Sequence, residues 1–204
     1  MGLLSSVGTI TRYRILGKIE TDLIGTITEG LEKNKIVEID GTPMEKAVGW
    51  ASLENPFLSD FSGSSFILGT YFVFSLRIDK KSVPAKIVGK HFQMQLAKQM
   101  KESNREFFSR NEKKMIKEHV RSVLNQRIPA TPNIYDLIWD YENASLWFYS
   151  TLKSANEELE SLFTQSFKLS LIRLFPFTIA ELNLGLSEPD RDLLSNLVPA
   201  SFKE

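Results

Sequence analysis

Between Lys80 and Arg127 the chain joins two patterns that few folds accommodate together: apolar residues at helical spacing and a dense load of positive charge. Val88, Phe92, Leu96 and Met100 recur at i+4, which lays them along one side of a helix. Pro84 suits the first turn of that helix. A break falls at Phe107-Phe108. Ser109 and Glu112 then have the spacing of a capping box, in which each side chain accepts a backbone N–H from the other residue. Ile116, Val120, Val123 and Leu124 supply the apolar face of a second helix, which Pro129 and Pro132 end. The stretch therefore reads as a helical hairpin whose apolar faces meet each other or a sheet. Its cations are left outward.

Thirteen Lys or Arg and four Glu give this window a net charge of +9. The whole chain has 25 basic and 25 acidic residues, so the remainder carries −9. A charge run is ordinarily a solvated helix face. Asymmetry gathered on two consecutive helices is also the footprint of a protein that meets a polyanion. Arg110, Lys113, Lys114, Lys117 and Arg121 run at i+3 and i+4 along the second helix as a stripe. Lys90, Lys98, Lys101 and Arg105 fall partly on one side of the first. These nine are the candidate phosphate contacts, because binding that ignores base sequence needs cations spaced to meet phosphates.

Elements on either side of the hairpin follow from shorter patterns. Val7–Leu16 reads as a strand, Thr21–Lys33 as an amphipathic helix and residues 36–39 as a short strand. Gly49-Trp50-Ala51 is extended, with Trp50 a core or junction aromatic. Residues 53–65 form a polar loop, long enough to be mobile or functional, in which Phe57 and Phe61 are open to a partner. Residues 66–78 are strand, with Phe72, Phe74 and Leu76 on one face. After the hairpin, residues 135–139 and 146–150 pair around Glu142-Asn143-Ala144. A helix capped by Ser154 and Glu157 buries Leu159, Leu162, Phe163 and Phe167, and residues 169–175 form a last strand. Thr178/Glu181 and Ser187/Asp190 signal two short C-terminal helices. The order predicts an α+β fold. Antiparallel sheets, strand–helix–strands (1–79) and strand–strand–helix–strand (129–204), are joined by the basic hairpin (80–128), as three subdomains or one domain.

Composition narrows the chemistry. The 42% hydrophobic and 11% aromatic content belongs to a folded globule. With no cysteine, disulfides and thiolate metal sites are excluded and a reducing cytosol is allowed. No secretion signal or membrane span is expected; Gly2 and Ser6 formally match a myristoylation pattern. His91 and His119 show no metal-ligand spacing and read as structural or surface residues. Ser64-Ser65 has no adjacent base. Asp140 and Glu142 are the only carboxylates that suggest a metal-dependent nuclease, while Glu112, in a Glu-x-Lys sequence, is better explained by capping. No catalytic residue, cofactor or metal is expected.

An ordered set of features resembles the recombination-associated protein RdgC family. It begins with Thr11-Arg12-Tyr13-Arg14 and Gly49-Trp50, then a strand ending in Arg77 and the helix start Val83-Pro84. It continues through the charged run from Asn111 to Val120 with Val123-Leu124, then Trp139-Asp140, Ser154-Ala155 and Leu174-Phe175-Pro176. The resemblance spans roughly residues 9–176 and rests on order, since no single motif is specific. It implies DNA binding, mainly to duplex, without marked sequence preference. It also implies ring-like dimers with a basic interior, restraint of recombinase filaments, and a cytoplasmic, nucleoid-associated setting. Two departures bear on this. Relatives continue for about a further third where this chain closes with residues 193–204, which puts a closed ring in doubt. Asn125-Gln126-Arg127-Ile128-Pro129 replaces a Leu-Pro-Arg-Ala-Phe-like segment of the family and its aromatic.

The expected function is sequence-independent DNA binding by a non-enzymatic homo-oligomer. The alternatives are a protein-interaction or self-assembly module using the same basic face and, behind it, a metal-dependent nuclease.

Overall fold

The computed structural model describes Leu3 and residues 8–63 and 65–198. The expected strand start at Val7, the Gly2/Ser6 pattern, Ser64 and residues 199–204 lie outside them.

Alternation sets the centre of the molecule. In β4 (Tyr71–Lys80), Phe72, Phe74, Leu76 and Ile78 point to one face and are buried. β4 pairs antiparallel with β5 (Thr131–Asp140) along its whole length, from Tyr71↔Asp140 to Lys80↔Thr131. β5 turns through Ala144, at φ 47, into β6 (Ser145–Phe148). β6 pairs with β1 (Thr11–Leu16), and β1 with β7 (Ser170–Arg173). On the other side of β4 lies β2 (Lys46–Ala51), and the two-residue β3 (Ile67–Leu68) adds to β4. The result is one antiparallel sheet of seven strands with path order β2-β4-β5-β6-β1-β7. The fold is α+β, and the two predicted sheets join because β4 and β5 pair directly.

The apolar residues of α1 (Leu23–Lys33) and α4 (Lys153–Phe167) pack into the same core as this inner face. Phe163 and Phe167 of α4 bring their rings within 4.9 and 5.1 Å of Trp139. Gly30 lets α1 close on α4, since a Cβ there would sit 2.7 Å from the Phe167 ring. Gly49 has a similar reason: its Cβ would lie 2.4 Å from the backbone of Ile36. That close approach carries a single parallel bridge, Lys35↔Trp50, where a strand over 36–39 is predicted.

Two capping signals resolve differently. α4 begins at Lys153 after Leu152, without the Ser154/Glu157 box. The Asn156 amide dominates that turn, donating to Ser150 O and Leu152 O while its oxygen accepts from the Tyr13 hydroxyl. α5 (Pro176–Asn183) starts before Thr178, whose hydroxyl accepts from Phe175 N. Ser187 caps α6 (Glu188–Ser195) as expected. Phe61 is fully buried, so of the two loop phenylalanines only Phe57, 58% exposed, remains open.

Candidate nucleic-acid interface

The chain leaves the sheet at the end of β4, forms α2 (Ala85–Ser103) and α3 (Arg110–Arg127), and returns at the start of β5. The two helices pack on each other around Val88, Val120 and Leu124, with Val83 beside them. Toward the tip the packing thins: Phe92, Leu96 and Met100 are only half-buried, although Ile116 and Phe108 are covered. Asn104 ends α2 in the left-handed region at φ 48. The predicted Ser109/Glu112 capping box is formed in full.

The base of this arm is fastened by polar groups. Lys81 is buried, and its ammonium donates to Ile39 O, Thr42 O and Asn125 O at 2.7, 2.9 and 2.8 Å. Asn125 in turn donates to Glu45 at 3.2 Å. Lys81 thus departs from the prediction that the cations of residues 80–127 face outward. It has become an internal tie, because an ammonium carries three N–H donors, one for each of the converging carbonyls.

All nine candidate cations are exposed. On α3 the i+3/i+4 spacing gathers Arg110, Lys113, Lys114, Lys117 and Arg121 within an arc of roughly 100° at 100° per residue. On α2, Lys90 and Lys101 lie on the side away from Val88, Lys98 lies on the flank about 80° from it, and Arg105 lies in the turn beyond. Four of the nine meet carboxylates. Arg105 reaches Glu112 at 2.9 Å, while Lys98–Glu102 and Lys114–Glu118 are 3.8 Å pairs one helical turn apart. Arg121 approaches Glu45 at 3.9 Å, the one partner from outside the arm. Exposed pairs of this length hold their partners weakly, by about 0–1 kcal/mol. Lys90, Lys101, Arg110, Lys113 and Lys117 have no carboxylate within 4.0 Å among the described residues.

The tip adds aromatic character. Phe107 is 69% exposed with the Lys113 ammonium 5.2 Å from its ring centre, and the Arg105 guanidinium stands 5.1 Å over Phe108. Phe107 is not among the predicted contacts; its place in the helix break beside Arg105 is the only sequence signal that could have marked it. The Glu112 carboxyl is held far down, from 4.5 to about 2, by hydrogen bonds from the Ser109 backbone and hydroxyl and then by Arg105.

Residues 9–182 match the family described as "Putative exonuclease, RdgC". The chain belongs to the RdgC family. Membership implies a recombination-associated DNA-binding role. A search of curated proteins finds no matching relative.

The residues that carry the RdgC resemblance lie mostly in the scaffold. Tyr13, Trp50 and Trp139 are fully buried. Arg77 is buried too, with its guanidinium bound to Asp79 at 2.6 and 2.8 Å and to Glu38 at 3.2 Å. Pro176 begins α5. As for the exonuclease description, Asp140 is buried and both its oxygens accept from Asn143, which ties that carboxylate to the β5–β6 turn. Among the described residues no three His, Cys, Asp or Glu are grouped to hold a metal. No helix there is long and apolar enough to cross a membrane.

Proposed function

We propose that this RdgC-family chain binds DNA, chiefly duplex, without reading its sequence, through the outward cations of α2 and α3. The observation that carries this reading is the state of the α3 stripe. Among the described residues Arg110, Lys113 and Lys117 have no carboxylate partner, and Lys114 and Arg121 are held only by long, exposed pairs. Such groups can replace the counterions of a phosphate backbone with little to give up. The family resemblance adds homo-oligomerisation, a dimer in the first instance, and a nucleoid-associated place in the cytoplasm. No cofactor or catalytic step is assigned.

Fluorescence anisotropy of a labelled duplex across a salt series tests the proposal. With about six phosphate contacts, affinity drops by about three decades between 50 and 200 mM salt. Lys113→Gln with Lys117→Gln lowers affinity on every sequence alike and reduces the log–log salt slope by about two. A flat salt dependence, or a slope the variant leaves unchanged, overturns the assignment. Prolonged incubation with magnesium or manganese leaves the DNA intact; cleavage products would restore the nuclease reading.

A second reading, assembly through protein contact, draws on α5 and α6. Neither helix buries a residue, and Leu182, Leu184, Leu193 and Leu197 are 41–71% exposed. Exposed apolar side chains of this kind are candidates for such contact where they lie side by side.

A further inference from the structure

His91 and His119 are the only histidines in the chain. One stands on each helix of the arm, and both line a single cleft of about 190 Å³ between them. Gln95 and Arg127 complete its polar wall, and Val120 and Leu124 form part of its apolar floor. Helix geometry accounts for the grouping: Gln95 follows His91 by four residues, and Arg127 follows His119 by eight, so each pair shares a helix side. The same geometry separates the cleft from the stripe. His119 lies two residues beyond Lys117, about 200° around α3, so the cleft opens on the opposite flank.

Chemistry then restricts the ligand. Once the imidazoles are protonated, His91, His119 and Arg127 offer only N–H donors, and Gln95 can turn its amide NH2 inward. Among the described residues the titratable and charged groups facing the cleft are His91 from α2 and His119 and Arg127 from α3, with no carboxylate in the lining. A metal cation would have to settle beside the permanently charged Arg127. An oxyanion meets donors from both helices. The volume exceeds the roughly 30 Å³ of one liquid water several-fold, enough for a tetrahedral anion with some hydration.

We propose that this cleft is a proton-dependent oxyanion site that takes a phosphate-type dianion when both imidazoles are charged. It holds only the charge of Arg127 when the imidazoles are neutral and three charges when both are protonated. Occupancy therefore rises as the imidazoles take up protons, and bound anion favours their charged form in return. The site goes beyond the DNA reading, since it lies off the stripe and needs no nucleic acid.

The test is an NMR titration of the full chain labelled at histidine, where two imidazoles give two sets of signals. Sulfate is the probe, because its charge is constant across the histidine range; chloride at matched ionic strength is the control. The expected result is saturable movement of both imidazoles with sulfate at about pH 5.5, and saturating sulfate raising each pKa by about one unit. That is about tenfold in affinity per imidazole. Arg127→Gln weakens sulfate about tenfold while the circular dichroism stays near wild type. A second arm replaces sulfate with a short duplex. Movement of the same signals assigns the anion to nucleic-acid phosphate, and no movement assigns it to a small oxyanion. Signals that follow sulfate no further than chloride overturn the site, as does zinc moving both imidazoles where sulfate does not. The stripe variants above report on DNA binding alone, so either proposal fails without the other.

Discussion

A buried ammonium needs oxygen around it, and Lys81 finds three carbonyls. Its replacement by Met leaves those acceptors without a donor in a place water reaches poorly. An unsatisfied buried acceptor costs about 1–3 kcal/mol, so Lys81→Met is expected to destabilise the protein by at least that amount in a urea titration, with little change in the cations of α3. From sequence Lys81 is one more positive charge next to Lys80, because the carbonyls that claim it come from residues 39 and 42 and from the far end of α3. Glu112 shows the opposite case, a residue whose capping role is legible because Ser109 sits within one turn, although its pair with Arg105 across the break is not. Its folded pKa is depressed, from 4.5 to about 2. The contribution is therefore whole above the ordinary value and is lost as pH falls toward about 2. Carboxyl carbon shifts should follow Glu112 to that low midpoint, and Ser109→Ala should return it toward the normal range.

At the scale of elements, the same contrast between local and distant partners explains what sequence shows. The two arm helices, their break and the stripe are legible because spacing along one helix decides them. The Ser154/Glu157 signal misleads because Asn156, one residue before the Glu, is taken by Tyr13 from a distant strand. The arm itself is thinly supported. Val88 is the one buried residue of α2, whereas α4 buries Ala155, Asn156, Leu159, Leu162, Phe163 and Phe167. Stability of a segment follows such burial. Native-state hydrogen exchange should find amides of residues 90–103 opening on the order of 100-fold more readily than those of α4, a gap of about 2.7 kcal/mol. Equal protection would mean that the arm is braced by something besides its own contacts.

Across the whole molecule, the joining of two expected sheets into one was hidden from sequence. Partners such as Tyr71 and Asp140 stand far apart in the chain, and alternation names a strand's faces without naming its neighbour. Charge, by contrast, is legible at this scale: +9 over residues 80–127 against −9 elsewhere. Opposite fields on one particle attract a second copy when screening is weak. Sedimentation velocity should show concentration-dependent self-association at about 20 mM salt that recedes by about 300 mM, beyond several Debye lengths. An association that salt leaves untouched would point instead to the bare leucines of α5 and α6.

β4 and β5 remain in register to the very point where the chain departs and comes back, Lys80 opposite Thr131. Topologically, then, the two long helices occupy the position of a bend between neighbouring ribbons. A bend can be lengthened, shortened or recharged while the ribbons beneath keep their pairing.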